Sequence, residues 1–217
     1  MRRLYFSDKN RSNALSPNLL RKDMIGYEEG AVHVSASPGS GKTALCLSVV
    51  SGIISSGGKV IWACREMPNL DRAREILRGI SEEGYENISI IHFSNDFPKY
   101  TDAILSMSRD FNESDIVIVD DWCGSYGRAK KEEIESVIRI SENCKDTNVV
   151  ITSSSYEDAS GASESNWISR GGRSVNEAYQ TVFLQKHPMR QGVRIIRSEG
   201  DEKLLLMTKN GLEEISS

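Results

Sequence analysis

Short apolar runs alternate with amphipathic stretches along most of the chain. Five apolar runs predict β-strands: Ala31–Ser35, Lys59–Cys64, Ile88–Phe93, Asp115–Asp120 and Asn148–Thr152. The stretches between them predict helices: Lys42–Ser55, Leu70–Glu83, Tyr100–Arg109 and Lys131–Asn143. Runs composed almost continuously of Val, Ile and Ala are typical of strands buried on both faces. The alternation therefore predicts βαβ units and an α/β fold, with a mostly parallel central sheet flanked by helices.

The pattern changes after residue 155. The Ser/Gly/Glu-rich stretch Ser153–Arg173 predicts a long loop, and loops of that length in a folded domain are usually functional. Three further runs predict C-terminal strands: Gln180–Lys186, Gly192–Arg197 and Lys203–Thr208. The turn at Glu199-Gly200-Asp201 predicts that the last two strands form an antiparallel hairpin.

Composition and length narrow the class of protein. The 217 residues are 38% hydrophobic and 27% charged, which suits a folded core rather than global disorder. We expect an N-terminal segment of undefined structure (residues 1–25) and one domain over residues 26–217. The net charge of −4 argues against a surface coated with positive charge for nucleic acid, so any such contact needs a local basic patch.

Cysteine usage and hydropathy indicate a cytoplasmic protein. The four cysteines are scattered without a CxxC pair, which favours buried reduced thiols over a zinc site or a disulfide framework. No apolar run approaches the ~20 residues that span a bilayer, and the N-terminus lacks a signal-peptide core.

One motif dominates the chemistry. It follows the first predicted strand and opens the first predicted helix: Ala36-Ser37-Pro38-Gly39-Ser40-Gly41-Lys42-Thr43. This is a P-loop pattern with alanine at the usual first glycine. Gly39 and Gly41 let backbone N–H groups turn inward around phosphates, and the helix N-terminus adds positive potential. Lys42 is expected to reach the β- and γ-phosphates of a nucleotide, and the Thr43 hydroxyl to bind Mg²⁺. A Gly/Ser turn that merely caps a helix is disfavoured by the Lys-Thr pair and the flanking strand.

A second acidic motif fits the same site. The buried run Ile116–Val119 ends in Asp120-Asp121, and carboxyl ends of parallel strands meet at the ligand-binding edge of α/β sheets. Asp120 is the expected partner of Mg²⁺, directly or through Thr43. Adjacent residues on a strand point to opposite faces, so we expect only one of the two aspartates to aim at the metal.

Several segments outside the P-loop resemble the RecA/RadA recombinase superfamily over about residues 26 to 214, nearly the whole chain. The segments that carry the resemblance are Val60–Glu66 with Asp71-Arg72, Ile118–Asp121, Val149–Thr152, Gly171-Gly172 and Leu206–Glu214. RadA-type recombinases carry an N-terminal helical DNA-binding domain, and because the P-loop begins near residue 36 we expect no such domain here. The sequence therefore most resembles archaeal RadB-type paralogues, which consist of the ATPase core alone.

The resemblance implies a RecA-like P-loop NTPase core that binds ATP with Mg²⁺ and acts in DNA repair or recombination. It makes Glu66 the catalytic glutamate that orients water, alongside Lys42, and adds Arg72 to the nucleotide-binding residues. It implies slow hydrolysis, and a homo-oligomer or a recombinase as partner. The superfamily usually has Asn-Gln after the strand that ends here at Thr152, but this chain has Ser153-Ser154. A serine is too short to couple the γ-phosphate to a DNA loop in the same way.

Two loops are candidates for single-stranded DNA binding. The first, residues 123–131, offers Arg128, Lys130 and Lys131 with one aromatic residue, and the second offers Arg170 and Arg173. The first is equally interpretable as a solvated connection, and acidic residues nearly cancel the charge of the second. Trp167 in the second loop either stacks a base or pins the loop to the core.

Other chemistry-bearing residues favour structural interpretations. His33, His92 and His187 are scattered, and the first two are expected to be hydrogen-bonded histidines at strands. Four cations lie on the C-terminal strands, where they could reach a neighbouring subunit's phosphate or simply form the exposed side of a hairpin: Lys186, Arg190, Arg194 and Arg197.

Two other functions remain open. The first is a regulatory partner that binds nucleotide and a repair protein but neither turns over ATP nor holds DNA well, which the acidic net charge and Ser153-Ser154 favour. The second is another P-loop chemistry such as a small-molecule kinase, which the absence of an Arg-rich lid segment disfavours.

Overall fold

A computed structural model describes residues 30–158, 167–198 and 200–215. Three parts of the sequence-based prediction lie outside these residues: the N-terminal segment 1–25, the middle of the loop after residue 153, and Glu199 of the predicted turn.

A single large sheet organises the described part of the chain. Its strands are β1 (Ala31–Ala36), β2 (Val60–Cys64), β3 (Ile88–His92), β4 (Ile116–Asp120), β5 (Asn148–Ser154), β8 (Gln180–Lys186), β9 (Val193–Ser198), β10 (Asp201–Thr208) and β11 (Gly211–Glu214). Their order is β11-β10-β9-β8-β1-β5-β4-β2-β3. From β8 to β3 all neighbours are parallel, while β9, β10 and β11 continue the sheet antiparallel. The predicted parallel sheet and C-terminal hairpin are thus confirmed.

Six helices lie in the described part: α1 (Lys42–Ser55), α2 (Leu70–Ile76), α3 (Glu82–Glu86), α4 (Phe97–Met107), α5 (Lys131–Asn143) and α6 (Gly172–Ala178). The predicted bounds of α1 and α5 are confirmed. The predicted single helix Leu70–Glu83 is wrong, because the chain leaves helical geometry after Ile76 and starts again at Ser81, whose side chain accepts from the Gly84 N–H. Helix α6 and the short strands β6 (Tyr156–Glu157) and β7 (Trp167–Ile168) occupy the ends of the predicted long loop.

Helices pack on both faces of the sheet, which explains why the central strands are apolar on both sides. Helix α1 packs on one face of the sheet, and most of its residues are buried. On the other face, α4, α5 and α6 bury Phe97, Ile140 and Val175 with Trp122. All four cysteines are buried and free, as the sequence predicted. Among the described helices, none is long and apolar enough to cross a bilayer.

Candidate nucleotide site

The loop between β1 and α1 lies at the carboxyl edge of the parallel strands. The Ser37 N–H donates to the Leu184 carbonyl of β8 at 2.9 Å, which anchors the loop to the neighbouring strand. Gly39 and Gly41 have φ values of 67° and 104°, in the left-handed region that favours glycine. A Cβ on Gly39 would lie 3.1 Å from the Lys186 Nζ, so there is little room for a side chain at this position. The conformation is the one expected of a phosphate loop.

Thr43 and Asp120, the two residues predicted to bind Mg²⁺, are in contact. The Thr43 hydroxyl donates to Asp120 Oδ2 at 3.2 Å, and the Thr152 hydroxyl donates to Asp120 Oδ1 at 2.6 Å. Burial, and secondarily the charge of Asp121, raise the pKa of Asp120 to about 6. A hydroxyl and a carboxylate are the hard oxygen ligands that Mg²⁺ uses in phosphate sites, where water and phosphate complete the coordination. The residues present therefore fit a magnesium ion.

Asp121 does not follow the alternation expected from the sequence. Its φ is 56°, so the chain turns at the end of β4 instead of continuing as a strand. Asp121 Oδ1 lies 3.1 Å from the Lys42 Nζ. The strand alternation is therefore broken at this point, because the left-handed turn directs the Asp121 carboxylate to Lys42. That only one of the two aspartates aims at the metal stays a prediction. Asp is among the residues that tolerate this conformation, and that tolerance was the available sequence signal.

Glu66 and Arg72 lie beyond the end of β2. Glu66 is exposed, and within the described residues its carboxylate makes no hydrogen bond or ion pair. Arg72 donates to the carbonyls of Thr208 and Lys209 at 2.5 and 3.2 Å, which joins the start of α2 to the turn after β10. Catalytic and nucleotide-binding roles for these two residues remain predictions.

Two cations of the C-terminal strands lie against the phosphate loop of the same chain. Lys186 and Arg194 are directly opposite each other in the antiparallel β8–β9 pair. Arg194 Nε donates to the Ser40 carbonyl at 2.6 Å, and Lys186 faces Gly39. Like charges directly opposite are unfavourable in a sheet, and an anion beside them would relieve that cost. The exposed-hairpin interpretation missed this placement, because it depends on the register of β8 against β1.

A groove of about 1180 Å³ runs from the phosphate loop to both candidate DNA loops. Pro38, Gly39 and Lys42 line one end, and Tyr126 and Arg128 of the first loop line another part. Tyr126 is 94% exposed. The basic residues at the start of α5 are exposed: Lys130 and Lys131, the second paired with Glu135 at 3.5 Å.

The cations of the second loop are already engaged. The guanidinium of Arg170 is buried and donates to the carbonyls of Ser125, Gly127 and Ser154. It also lies 5.5 Å from the centre of the Tyr156 ring. A DNA-binding role for Arg170 has no support in this arrangement, because its guanidinium N–H groups already donate to backbone carbonyls and so hold the first loop against β5.

Arg173 pairs with Glu177 at 2.6 Å on the exposed side of α6. Trp167 is half-buried in β7, where it pairs with Glu157 of β6.

The Ser153-Ser154 pair makes contacts different from those expected of a longer side chain. The Ser153 hydroxyl lies 2.8 Å from His33 Nε2 inside the sheet, and the Ser154 hydroxyl donates to Ser125 at 3.4 Å. Burial lowers the pKa of His33 to about 3.

His92 lies elsewhere, where its Nε2 is 3.1 Å from the Arg65 carbonyl. In the part of the chain described, no three His, Cys, Asp or Glu side chains cluster as a metal site, so Mg²⁺ would need phosphate oxygens as well.

Taken together, the strand order and the loop after β1 define an α/β protein with a RecA-like core fold. The crystal structure of the RadB recombinase is similar to this chain with a TM-score of 0.67 and 18% sequence identity, over 86% of this chain and 91% of that one. At that identity the similarity establishes the fold. No protein-family model and no curated protein sequence matches the chain.

Proposed function

We propose that this protein is an ATP-binding, RecA-like recombinase paralogue that acts in DNA repair or homologous recombination. The observation that carries the proposal is the glycine loop before α1, with the Thr43 hydroxyl 3.2 Å from the Asp120 carboxylate. A P-loop threonine joined to a strand-end aspartate is the arrangement that P-loop NTPases use for MgATP. The RadB-like fold supports the recombination context.

Each residue of the site has a role in this proposal. The N–H groups of Gly39, Gly41, Lys42 and Thr43, which make no other hydrogen bond in the described residues, surround the phosphates. Lys42 neutralises the β- and γ-phosphates. Thr43 and Asp120 would hold Mg²⁺, which supplies charge neutralisation at the phosphates when bound. Glu66, free of competing contacts, orients the attacking water. Arg72 contacts the nucleotide from the start of α2 once it gives up its hydrogen bonds to the Thr208 and Lys209 carbonyls. Hydrolysis is expected to be slow, because no contact orients the Glu66 carboxylate.

Single-stranded DNA is the proposed second ligand. Arg128, Lys130 and Lys131 are exposed beside the groove, and Tyr126 offers a ring for stacking. Arg173 could add charge if its pair with Glu177 opens. In this proposal the protein works in the cytoplasm, with another copy or a recombinase as partner.

A nucleotide-binding regulatory partner without turnover is the second candidate. The contacts of Ser153 and Ser154 favour it, since both hydroxyls are used in hydrogen bonds within the protein. Measured turnover, with and without single-stranded DNA, separates the two candidates.

Lys42→Ala tests the site directly. Loss of two charge-assisted hydrogen bonds to phosphate should weaken the binding of a fluorescent ATP analogue with Mg²⁺ by about 100-fold. Lys59→Ala is the matched control, because Lys59 is an exposed lysine at the opposite end of the strands. Near-unchanged affinity of the Lys42 variant would contradict the site.

A further inference from the structure

The backbone of Asp121 is held in an unfavourable conformation by contacts on both sides. Its φ of 56° is uncommon for a residue with a side chain. Its N–H donates to the Thr152 hydroxyl at 2.9 Å, and its carbonyl accepts from Arg65 Nε at 2.9 Å. Strained backbone persists where surrounding contacts determine it, and such residues cluster at functional sites. The turn fixes where the Asp121 carboxylate lies.

The carboxylate lies against the lysine that should bind phosphate. Asp121 Oδ1 is 3.1 Å from Lys42 Nζ, and the two side chains are 28% and 17% exposed. Asp120 adds a second carboxylate beside Thr43. Without a metal ion, the Lys42 ammonium is thus already neutralised, and a phosphate chain that approaches it meets two aspartates. Lys186 and Arg194, beside Gly39 and Ser40, supply positive charge that does not depend on Asp121.

We propose that Asp121 is a positioning residue that makes nucleotide binding at this site depend on magnesium. It holds the Lys42 ammonium in place and repels nucleotide phosphates until a divalent cation at Thr43 and Asp120 offsets the repulsion. Lys42 then moves from the aspartate to the phosphates, or is shared between them. This inference rests on the proposed function, and it assigns to Asp121 a role distinct from that of Asp120.

The test measures the affinity for ATPγS by calorimetry in excess Mg²⁺ and in EDTA. Asp121→Asn removes the charge but keeps the shape, and Asn adopts the left-handed conformation readily. In EDTA the variant should bind about tenfold more tightly than the wild type, while in Mg²⁺ the two should agree within about threefold. Asp121→Glu, which keeps the negative charge, should show the wild-type dependence of affinity on Mg²⁺. Asp110→Asn is the control, since it makes the same charge change at an exposed position after α4.

The outcomes separate the two proposals. Wild-type protein that binds MgATPγS, with an Asp121→Asn variant that behaves like Asp110→Asn, overturns the role of Asp121 alone. So does an equal loss of affinity with and without Mg²⁺, because it indicates only that Lys42 is displaced. Wild-type protein that binds no nucleotide even with Mg²⁺ overturns the proposed function and this role together. Thermal unfolding of every variant identifies any that fails to fold.

Discussion

Acidification should destabilise this protein through one buried imidazole, that of His33 in the central strand β1. The ring lies 2.8 Å from the Ser153 hydroxyl and edge-on to Trp122, with the ring centres 6.2 Å apart. Burial alone lowers its pKa to about 3 from the 6.5 of an unfolded chain. The native state therefore keeps His33 neutral across a pH range in which the unfolded chain takes up a proton. Its contribution to stability is complete above pH 6.5 and is lost as the pH falls toward 3.

The magnitude follows from the two pKa values. Between pH 7 and pH 5 the His33 contribution should fall by about 2 kcal/mol. Asp120 acts in the opposite direction: its pKa is raised from 3.8 to about 6, so the native state binds the extra proton and gains about 1 kcal/mol over the same interval. Wild-type stability should therefore change less than His33 alone implies. A variant that lacks the imidazole should instead gain stability on acidification.

Urea denaturation of the wild type and His33→Gln, each at pH 7 and pH 5, checks this prediction. Glutamine can still hydrogen-bond to Ser153 but does not titrate. The change in unfolding free energy from pH 7 to pH 5 should differ between the two proteins by about 2 kcal/mol. Equal pH dependence in both would refute the reasoning. If His33→Gln does not fold, NMR titration of the wild type replaces it, and protonation of His33 above pH 5 would be the refuting result.

Three further predictions concern the site and the groove. Glu66→Gln should leave nucleotide affinity unchanged while it stops turnover, measured as phosphate release; hydrolysis at the wild-type rate would remove Glu66 from the mechanism. Reversal of the charges of Arg128, Lys130 and Lys131 should weaken single-stranded DNA binding and flatten its salt dependence. Counterion release sets the slope of log affinity against log salt concentration near −0.7 per neutralised phosphate. Wild-type protein that binds no DNA in low salt would instead indicate that the first loop is a solvated connection. Arg170→Met should cost about 3 kcal/mol in urea denaturation, because three carbonyls lose a charged donor; unchanged stability would mean that water replaces the guanidinium.

Local patterns predicted much of the fold. The bounds of α5 follow from amphipathic spacing, and those of α1 from an apolar run that begins directly after the phosphate loop. The central strands stand out because burial on both faces makes them apolar throughout. The phosphate loop is equally local, since its glycines and the Lys-Thr pair lie in one continuous segment. The interruption after Ile76 was missed although Gly79 and Ser81 are a local signal for a helix end and a new start.

Contacts between distant segments could not be predicted. The Lys42–Asp121 pair depends on a backbone turn that overrides strand alternation. The placement of Arg194 at Ser40 depends on which strands are neighbours, and the sequence does not state strand order. Arg170 carries a charge that suggests a ligand contact, whereas its surroundings consist of carbonyls contributed by two other segments. A charged residue in a loop does not reveal which backbone oxygens the fold will bring to it.

The central position of β1 has a consequence for how the chain folds. β1 is the first strand of the described sequence, yet Ala31 pairs with Val149 of β5, and Val32 pairs with Gln180 of β8. Pairings between such distant residues form slowly, because a long loop must close before any contact rewards it. During synthesis, the strand that supports the phosphate loop therefore has no lateral partner until β5 has left the ribosome, and it gains its second partner only after β8 has followed. We expect nascent chains truncated before Gln180 to lack nucleotide affinity. Nucleotide binding by ribosome-bound chains of increasing length would therefore show at which length the sheet is complete.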